Sequence, residues 1–536
     1  MVLFGGVVPV LESDGFPNKR RERNLLLIAA AISSACGLAV ELLLGTLASY
    51  LVGNQALAYG VAVGGFLAAM GIGAYLSRFI AVETGHADQY HRLQVAFVQV
   101  ELWIAPLSAV LPLALFALFV VDGPFWMGLF LATILLGILA GMEVPLLTRL
   151  LELDEGVREA LAGVLALDYL GALLGSLLFP IALLPFLGLF PSAALIGALP
   201  AFVVFIFGRV VPRLRYWGRW GLAIAIALCV FAPLTLPLSD RLENSLYDAP
   251  VITRIQSTYQ RIVMTRQGTD VRLFLDGDLQ FSTLDEYRYH EALVHPAMSI
   301  NQREIEQSSS SGDRSRQVLL MGAGDGLALR EVLKWQDVER VLLIDLDPAI
   351  VNLARRHPFL VNANAKAFAD PRVEVRHADA FTALAALHET FDVIIADFPD
   401  PDRDGIAKLY TQGFYRRMLA HLNPTGIFVT QASSPFFAPR AFACIAATLE
   451  SLPLVIRPYT IDVPSFGPWG FVLATQNPIE TTSLPLPVAT HFLTVAMLPS
   501  LFQLPGDIQL GGVEVNRLSH PVILRYQNDP RWEAYD

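Results

Sequence analysis

The sequence predicts a two-part chain. A multi-pass α-helical membrane domain of about seven helices precedes an α/β half, itself a small N-terminal β-strand subdomain and a doubly wound domain. Three observations predict this. Charged residues make up only 16% of the 536, against roughly 25% in an ordinary soluble domain. The deficit lies in residues 1–239, which hold 12 Lys/Arg and 14 Asp/Glu, whereas residues 240–536 hold 26 and 35. After residue 316, short apolar runs alternate with helical stretches, as in a parallel sheet wrapped by helices. The composition excludes a disordered protein, and mean hydropathy of +0.50 argues against a purely soluble one.

A basic N-terminus (1–24, with Lys19, Arg20, Arg21 and Arg23) precedes the membrane domain (25–239). Apolar runs near 25–52, 56–80, 94–121, 125–147, 160–186, 189–208 and 220–238 match the ~20 residues that cross a hydrocarbon core. The first is too long for a cleaved signal, and further spans follow it. Arg78, Arg92, Arg149, Arg158, Arg209, Arg213, Arg215 and Arg219 fall in alternate loops, and the loops near Asn54, Asp122 and Gly188 carry no Lys or Arg. The positive-inside rule therefore puts the N-terminus in the cytoplasm. Seven full spans would carry the second half outside, unless the last one, with Pro233 and Pro237, is re-entrant or interfacial.

Glu41, Glu101, Glu143 and Asp168 fall within spans. Carboxylates in lipid are costly and face the bundle or a wet cavity. Two readings stand: a path for a cation, or interhelical hydrogen bonding. Gly64, Gly65, Gly71 and Gly73 suit close helix packing. Cys36, Cys229 and Cys444 form no CxxC pair and read as small buried apolar side chains, not as disulfides or a zinc site. The acidic second half does not suit a nucleic-acid partner, which needs a basic surface, and no nucleic-acid partner is expected; it suits cationic ligands better.

That half begins with strand-like VITRIQ, QRIVMTR and VRLFLDG, separated by turn-like QGTD and DGD (subdomain 245–300). LDEYRYHEALVHPAMSI reads as a helix with Ala292, Leu293, Ala297 and Met298 on its apolar face. Residues 301–316 read as a polar, serine-rich loop. In 317–480, QVLLMG, RVLLIDL, VEVRHA, FDVIIADF and GIFVTQ read as buried parallel strands, with LALREVLKW and PAIVNLARRH as helices between them. Residues 481–536 form a C-terminal extension.

Ligands of such sheets bind beyond the carboxyl ends of the strands. The first strand runs into MGAGDGLALRE, where Gly322, Gly324 and Gly326 would let a ligand approach the backbone. The second ends at Asp345, placed to accept from ribose hydroxyls, and the third leads to Asp379, placed to accept from an adenine amino group. Each acid alone could be a helix N-cap; together they give a nucleoside site in a Rossmann-like domain. No P-loop lysine, GxSxG or HExxH motif occurs. Asp325 in the turn would repel a carboxylate-bearing donor tail and attract an ammonium, or it caps the next helix. Asp397 and Asp400 in ADFPDP suit a cationic amine: one can hold the ammonium and help remove its proton. The plainer reading is an Asx-Pro surface turn.

Together these residues resemble the spermidine synthase (polyamine aminopropyltransferase) family. The matching segments run in order: TYQRI, LFLDGDLQFSTLDEYRYHEALVHPAM, VLLMGAGDGLALREVLKW, LLIDLDPAIV, HADAF, FDVIIADFPDP, KLYTQGFY, GIFVTQ and PSFGPWGF. The hydrophobic first half and VEVNRLSHPVILRY look like its membrane-embedded bacterial branch. The resemblance implies transfer of the aminopropyl group of decarboxylated S-adenosylmethionine, a co-substrate, to a diamine, typically putrescine. The products are spermidine and methylthioadenosine, and no cofactor or metal is implied. It places Gln260 and Asp345 at the donor ribose, Asp379 at the adenine, Asp325 at the donor ammonium and Gln280 beside the donor. Tyr289 and His290 would line the amine site, Asp397 would assist deprotonation, and Asp400 would bind the polyamine. The implied partners are polyamine and nucleoside substrates, a lipid bilayer and a second or fourth copy of the chain (homodimer or homotetramer). The implied place is a cell (inner) membrane with the catalytic domain cytoplasmic, where the donor is supplied. The family's GGGDGG is here GAGDGL, its ribose glutamate is Asp345, its DSSDP is DFPDP, and Phe466 stands where a tyrosine of the amine site is expected. Two alternatives use the same features: an S-adenosylmethionine-dependent methyltransferase, and a non-catalytic polyamine transporter or sensor.

Overall fold

The computed structural model describes residues 16–52, 55–80, 86–307 and 315–527. They form two compact units that divide between Asp248 and Ala249.

The first unit is helical: α1 (Phe16–Val52), α2 (Gln55–Ser77), α3 (His86–Val120), α4 (Phe125–Glu155), α5 (Val157–Leu178), α6 (Leu184–Leu187), α7 (Leu189–Val210) and α8 (Arg215–Asn244). A π-turn over Phe179–Leu183, which contains Pro180, joins α5 to α6 as one rod. Seven of these rods, among the described residues, are long and apolar enough to cross a membrane. α8 runs 30 residues without a break through Pro233 and Pro237, about 45 Å at 1.5 Å per residue, longer than the ~30 Å hydrocarbon core. By length and composition it could make a full crossing, and the interfacial reading stands beside that.

Close packing explains only some of the expected glycines. A Cβ on Gly73 would lie 2.0 Å from the Ile138 carbonyl oxygen, and one on Gly141 2.1 Å from that of Met70, so α2 and α4 touch backbone to backbone. Gly65 abuts Thr133, but Gly64 and Gly71 meet nothing within 4 Å. Glu41, Glu101 and Glu143 are buried, and the Ser33 hydroxyl donates to Glu101. Asp168 is half-buried. Cys36 and Cys444 are buried as expected; Cys229, on α8, is exposed.

The second unit opens with an antiparallel sheet in the order β1 (Val251–Gln256), β2 (Arg261–Gln267), β3 (Asp270–Leu275), β4 (Asp278–Ser282). The three expected runs are its first three strands, and DLQFS adds the fourth. Asp276 and Gly277, at φ +53° and +99°, form the two-residue turn whose positive dihedrals match the twist of a hairpin. α9 (Glu286–Gln307) follows. It is longer than expected: residues 301–307 of the supposed polar loop are helical, and the Gln302 amide donates to Glu306 one turn on (3.0 Å). Residues 308–314 lie outside the described residues.

The chain then alternates: β5 (Arg316–Gly322), α10 (Leu327–Leu333), β6 (Val338–Asp345), α11 (Pro348–Arg356), α12 (Pro358–Ala363), β7 (Val373–His377), α13 (Ala380–Ala386), β8 (Phe391–Asp397), α14 (Asp404–Ala407), α15 (Gln412–Leu419), β9 (Leu422–Gln431), α16 (Pro439–Glu450), β10 (Val455–Val463), β11 (Gly467–Thr475), α17 (Leu498–Leu501) and α18 (Ile523–Gln527). The sheet order is β10-β11-β9-β8-β5-β6-β7. The five expected strands are parallel, while β10 and β11 add an antiparallel edge that a wholly parallel reading misses. Val318, Leu319, Leu320 and Met321 of β5 are all fully buried. Both faces of the strand are covered, which is why it reads as an unbroken apolar run.

The residues after β11 strap the sheet. Leu484, Leu493, Leu498 and Leu501 join the core on one face, and Val522, Ile523 and Tyr526 join the core on the other. The buried Glu291 carboxylate on α9 accepts the backbone N–H groups of His491 (2.5 Å), Phe492 (2.9 Å) and Leu493 (2.8 Å). A carboxylate satisfied by three such donors is stable without a cation.

Candidate active site

The strand order reverses beside β5: β6 and β7 extend the sheet one way, β8 and β9 the other. In an open α/β sheet the crevice at that point binds ligands. Here it is a cleft of about 960 Å³ that also takes in residues of the small sheet and α9. Gln260, Gln280, Tyr289, His290, Gly322, Gly324, Asp325, Asp345, Asp379, Asp397 and Asp400 all line it. Gly326 does not. At φ +82° it caps α10, and a Cβ there would strike Phe368 at 2.6 Å. Its role is helix packing, which corrects the expectation that it faces a ligand. Gly322 and Gly324 answer to the protein as well. Their Cβ positions would collide with the Asp397 carbonyl oxygen (2.1 Å) and the Asp345 carboxylate (2.5 Å).

Asp345 ends β6. Its Oδ1 accepts the Asp347 N–H at 2.9 Å. Burial pushes its pKa up to about 7, and the Asp325 and Asp347 carboxylates add to the rise. The N-cap of α11 is Asp347, not Asp345, so the plain capping reading fails for Asp345. Asp347 Oδ1 accepts the Ala349 N–H (2.9 Å), and its Oδ2 accepts from Gln260 Nε2 (3.0 Å) and Ser257 Oγ (2.6 Å). Asp379 does cap its helix: Oδ1 accepts the Phe381 N–H at 2.8 Å, and Oδ2 pairs with Lys408.

Asp325 is aimed by the turn, where its Oδ1 accepts the Leu327 N–H at 2.8 Å. Burial raises its pKa, against the opposing pull of His290. His290 Nδ1 lies 2.9 Å from Glu286 Oε2, and Arg330 grips the same carboxylate at 2.8 and 2.9 Å. Burial works against a charged imidazole, but Glu286, Asp325 and Asp397 outweigh it and hold the pKa near 9. All three acids favour the charged form of His290.

Tyr289, on α9, donates its hydroxyl to Asp397 Oδ1 at 2.6 Å. Its ring meets Phe466 and Trp469 edge-on, with centroids 6.2 and 6.3 Å away. Burial lifts the Asp397 pKa to about 6, while His290 and the Tyr289 hydrogen bond resist the rise. Asp400 is likewise lifted to about 6 by burial. Its Oδ1 accepts from Ser433 Oγ (2.8 Å) and Gln431 Nε2 (3.2 Å), and its Oδ2 from Gln527 Nε2 (2.9 Å). All three donors are neutral. These acids are therefore not an Asx-Pro turn on the surface but the floor of the cleft.

Glu286, Asp347, Gln431, Ser433, Trp469 and Gln527 complete the site and were not singled out from sequence. Gln431 ends β9, a strand-end position that marks it in the sequence. Gln527 lies in the C-terminal extension, where no local pattern marks it. Asp276, Asp278 and Asp402 add further acids to the cleft wall around Arg403, whose nitrogens lie 2.5 Å from Asp276, 3.3 Å from Asp278 and 3.1 Å from Asp402.

Residues 286–483 match the family model described as spermine/spermidine synthase domain. Polyamine aminopropyltransferase 2 of Ralstonia nicotianae is 40% identical over 526 residues, covering 94% of this chain and 98% of the relative. Polyamine aminopropyltransferase of Leptospira interrogans is 38% identical, covering 95% of this chain and 98% of the relative. Among solved structures, spermidine synthase in complex with the transition-state analogue AdoDATO is 27% identical and covers 48% of this chain and 85% of that one, with a TM-score of 0.43.

Proposed function

The chain belongs to the polyamine aminopropyltransferase family, and on that premise we propose that it carries the aminopropyl group of decarboxylated S-adenosylmethionine to putrescine. Aminopropyl transfer is the activity of the family; the diamine acceptor and the residue roles are this proposal. One observation carries it: Asp325, Asp345, Asp397 and Asp400 share one cleft, and Asp400 is held there by neutral donors alone. A site with that charge deficit suits ligands that bring ammonium groups.

In this reading Asp345 and Gln260 hold the ribose, Asp379 faces the adenine, Gln280 borders the donor and Asp325 receives the donor's ammonium. The acceptor arrives as an ammonium against Asp397 and Asp400, along the wall made by Tyr289 and His290. Asp397 takes one proton. The freed nitrogen lone pair attacks the propyl carbon bound to sulfur. The C–N bond forms, the C–S bond breaks, and sulfur keeps the pair as a neutral thioether in methylthioadenosine. An alkylammonium near pKa 10.4 lies about four units above Asp397, so the proton transfer costs about 6 kcal/mol. That fits within the ~16 kcal/mol barrier of a turnover near 10 s⁻¹. Alignment of N, C and S supplies the remainder.

The seven apolar helices are compatible with membrane association. We place the protein in a cell (inner) membrane with the catalytic half in the cytoplasm, where the donor is made. Homodimers or homotetramers are the proposed assembly.

The test is direct. The full chain is incubated with decarboxylated S-adenosylmethionine and a panel of di- and triamines, and methylthioadenosine is measured. Product with putrescine is the expected result. Product with triamines alone overturns the acceptor, and methyl transfer from intact S-adenosylmethionine supports the methyltransferase alternative.

A further inference from the structure

We propose that Gln527, at the end of α18, is a positioning residue for the acceptor amine and sets how many ammonium groups the acceptor carries. This rests on the aminopropyltransferase reading above. Three side chains meet around Asp400, and the one Ser433 hydroxyl proton is shared between two acceptors. Ser433 Oγ donates to Asp400 Oδ1 at 2.8 Å, Gln527 Nε2 donates to Asp400 Oδ2 at 2.9 Å, and Ser433 Oγ lies 3.0 Å from Gln527 Oε1. Gln527 also lines the cleft.

The cluster is built rather than incidental. Ser433 is fully buried and sits at φ +59°, a left-handed backbone that costs a non-glycine residue on the order of 1 kcal/mol, and it brings the hydroxyl to Asp400. A second hold comes from Gln431, whose Oε1 accepts the Ser433 N–H at 2.8 Å and whose Nε2 donates to Asp400. α18 itself is fixed by Ile523 and Tyr526 in the core. Gln527 is therefore presented by packed structure.

The chemistry follows from the donor inventory. A carboxylate accepts at about four lone-pair positions. Ser433 donates to Oδ1, the Gln431 amide lies 3.2 Å from it while bonding the Phe398 carbonyl and the Tyr410 hydroxyl more closely, and Gln527 occupies one position on Oδ2. One direction on Oδ2 remains for an ammonium, and the Gln527 amide selects which. The amide also presents a neutral group beside Asp400 where a carboxylate would attract a further cation. The arrangement favours an acceptor with a single distal ammonium, a diamine.

Gln527→Ala and Gln527→Glu in the full chain test this, with wild type alongside. Gln527→Ala is expected to raise KM for the diamine about tenfold, leaving kcat, donor KM and the thermal midpoint near wild type. Gln527→Glu is expected to raise triamine over diamine kcat/KM at least tenfold, with the ratio growing as pH rises and the added carboxylate ionises. An unchanged diamine KM in the first, or an unchanged ratio in the second, overturns the proposal. So does a parallel loss of kcat, donor affinity and melting temperature in both, which is the mark of a purely structural residue. Wild type that forms no methylthioadenosine with any amine overturns the underlying reading instead.

Discussion

The Tyr289 hydroxyl donates to Asp397 Oδ1 at 2.6 Å, joining α9 to the end of β8. The bond favours the ionised carboxylate and so holds the Asp397 pKa below what burial alone would set. Tyr289→Phe removes that restraint. The acid limb of the rate profile is expected to move up by about one unit, the equivalent of ~1.4 kcal/mol, with turnover at pH 7 falling about twofold and turnover at pH 5.5 falling several-fold. A profile that stays in place removes the bond from the mechanism.

Asp397→Asn cannot accept a proton. Turnover is expected to drop by 10²–10⁴, the usual weight of general base catalysis, while equilibrium binding of decarboxylated S-adenosylmethionine stays within about threefold of wild type. Calorimetry on the full chain in detergent separates the two effects. Undiminished turnover would assign the proton to another group.

Activity and stability should respond to pH in opposite directions. Asp397 must be ionised to act as base, so the rate falls as pH drops through about 6. Asp345, Asp397 and Asp400 have folded pKa values near 7, 6 and 6, above the unfolded value of ~3.9. Their contribution to stability is fully present below that unfolded value and is lost as pH rises through 6 and 7. His290, held near 9, has the same sign: its contribution is complete below ~6.5 and lost as pH rises through 9. The thermal midpoint should therefore rise from pH 8.5 to pH 5 as the rate falls. A midpoint that falls with the rate contradicts this assignment.

Ala323 lies in the glycine-rich turn at φ +60°. That region costs a Cβ-bearing residue ~1–2 kcal/mol, and glycine gives back 0.5–1 kcal/mol in chain entropy. Ala323→Gly should stabilise the catalytic unit by about 0.5–1 kcal/mol, read as an increase in denaturation midpoint at constant slope. A lower midpoint means the methyl group contributes packing that outweighs the backbone strain.

Sidedness has a decisive measurement. A cytoplasmic catalytic half leaves the Ser308–Ser311 segment protected in intact spheroplasts and cut after lysis. Cleavage in intact spheroplasts would instead support the topology given by the positive-inside rule with α8 as a seventh full crossing.

Much of the site could be read because its residues sit at strand ends. The burial of Ile344 and Ile395 makes runs such as VLLID and DVIIAD visible, and the acid that closes each run is Asp345 or Asp397. The glycine-rich turn was harder. Its three glycines share a motif but not a task, since Gly322 and Gly324 line the cleft whereas Gly326 caps α10 against Phe368. Only the folded neighbours separate those roles. Asp347, one turn-position from Asp345, was hidden because capping and ligand-facing acids look alike in sequence. α9 overran its expected end because polar residues serve a helix as readily as a loop: Asn301 is buried and donates to the Asp392 and Thr425 carbonyls, and residues 302–305 are half-buried. Gln527 had no signature at all; its partners, Asp400 and Ser433, are about a hundred residues away in the chain.

The strap that follows β11 gives the protein a timetable. Leu493 and Leu501 finish one core and Ile523 and Tyr526 finish the other, and these are among the last described residues to be synthesised. Translation at about 5–20 residues per second would deliver all the helices of the first unit well before the sheet could be sealed. The apolar helices should therefore be complete while the catalytic unit is still open. Ribosome-bound chains stalled before Tyr526 should remain protease-sensitive in the second unit and form no methylthioadenosine.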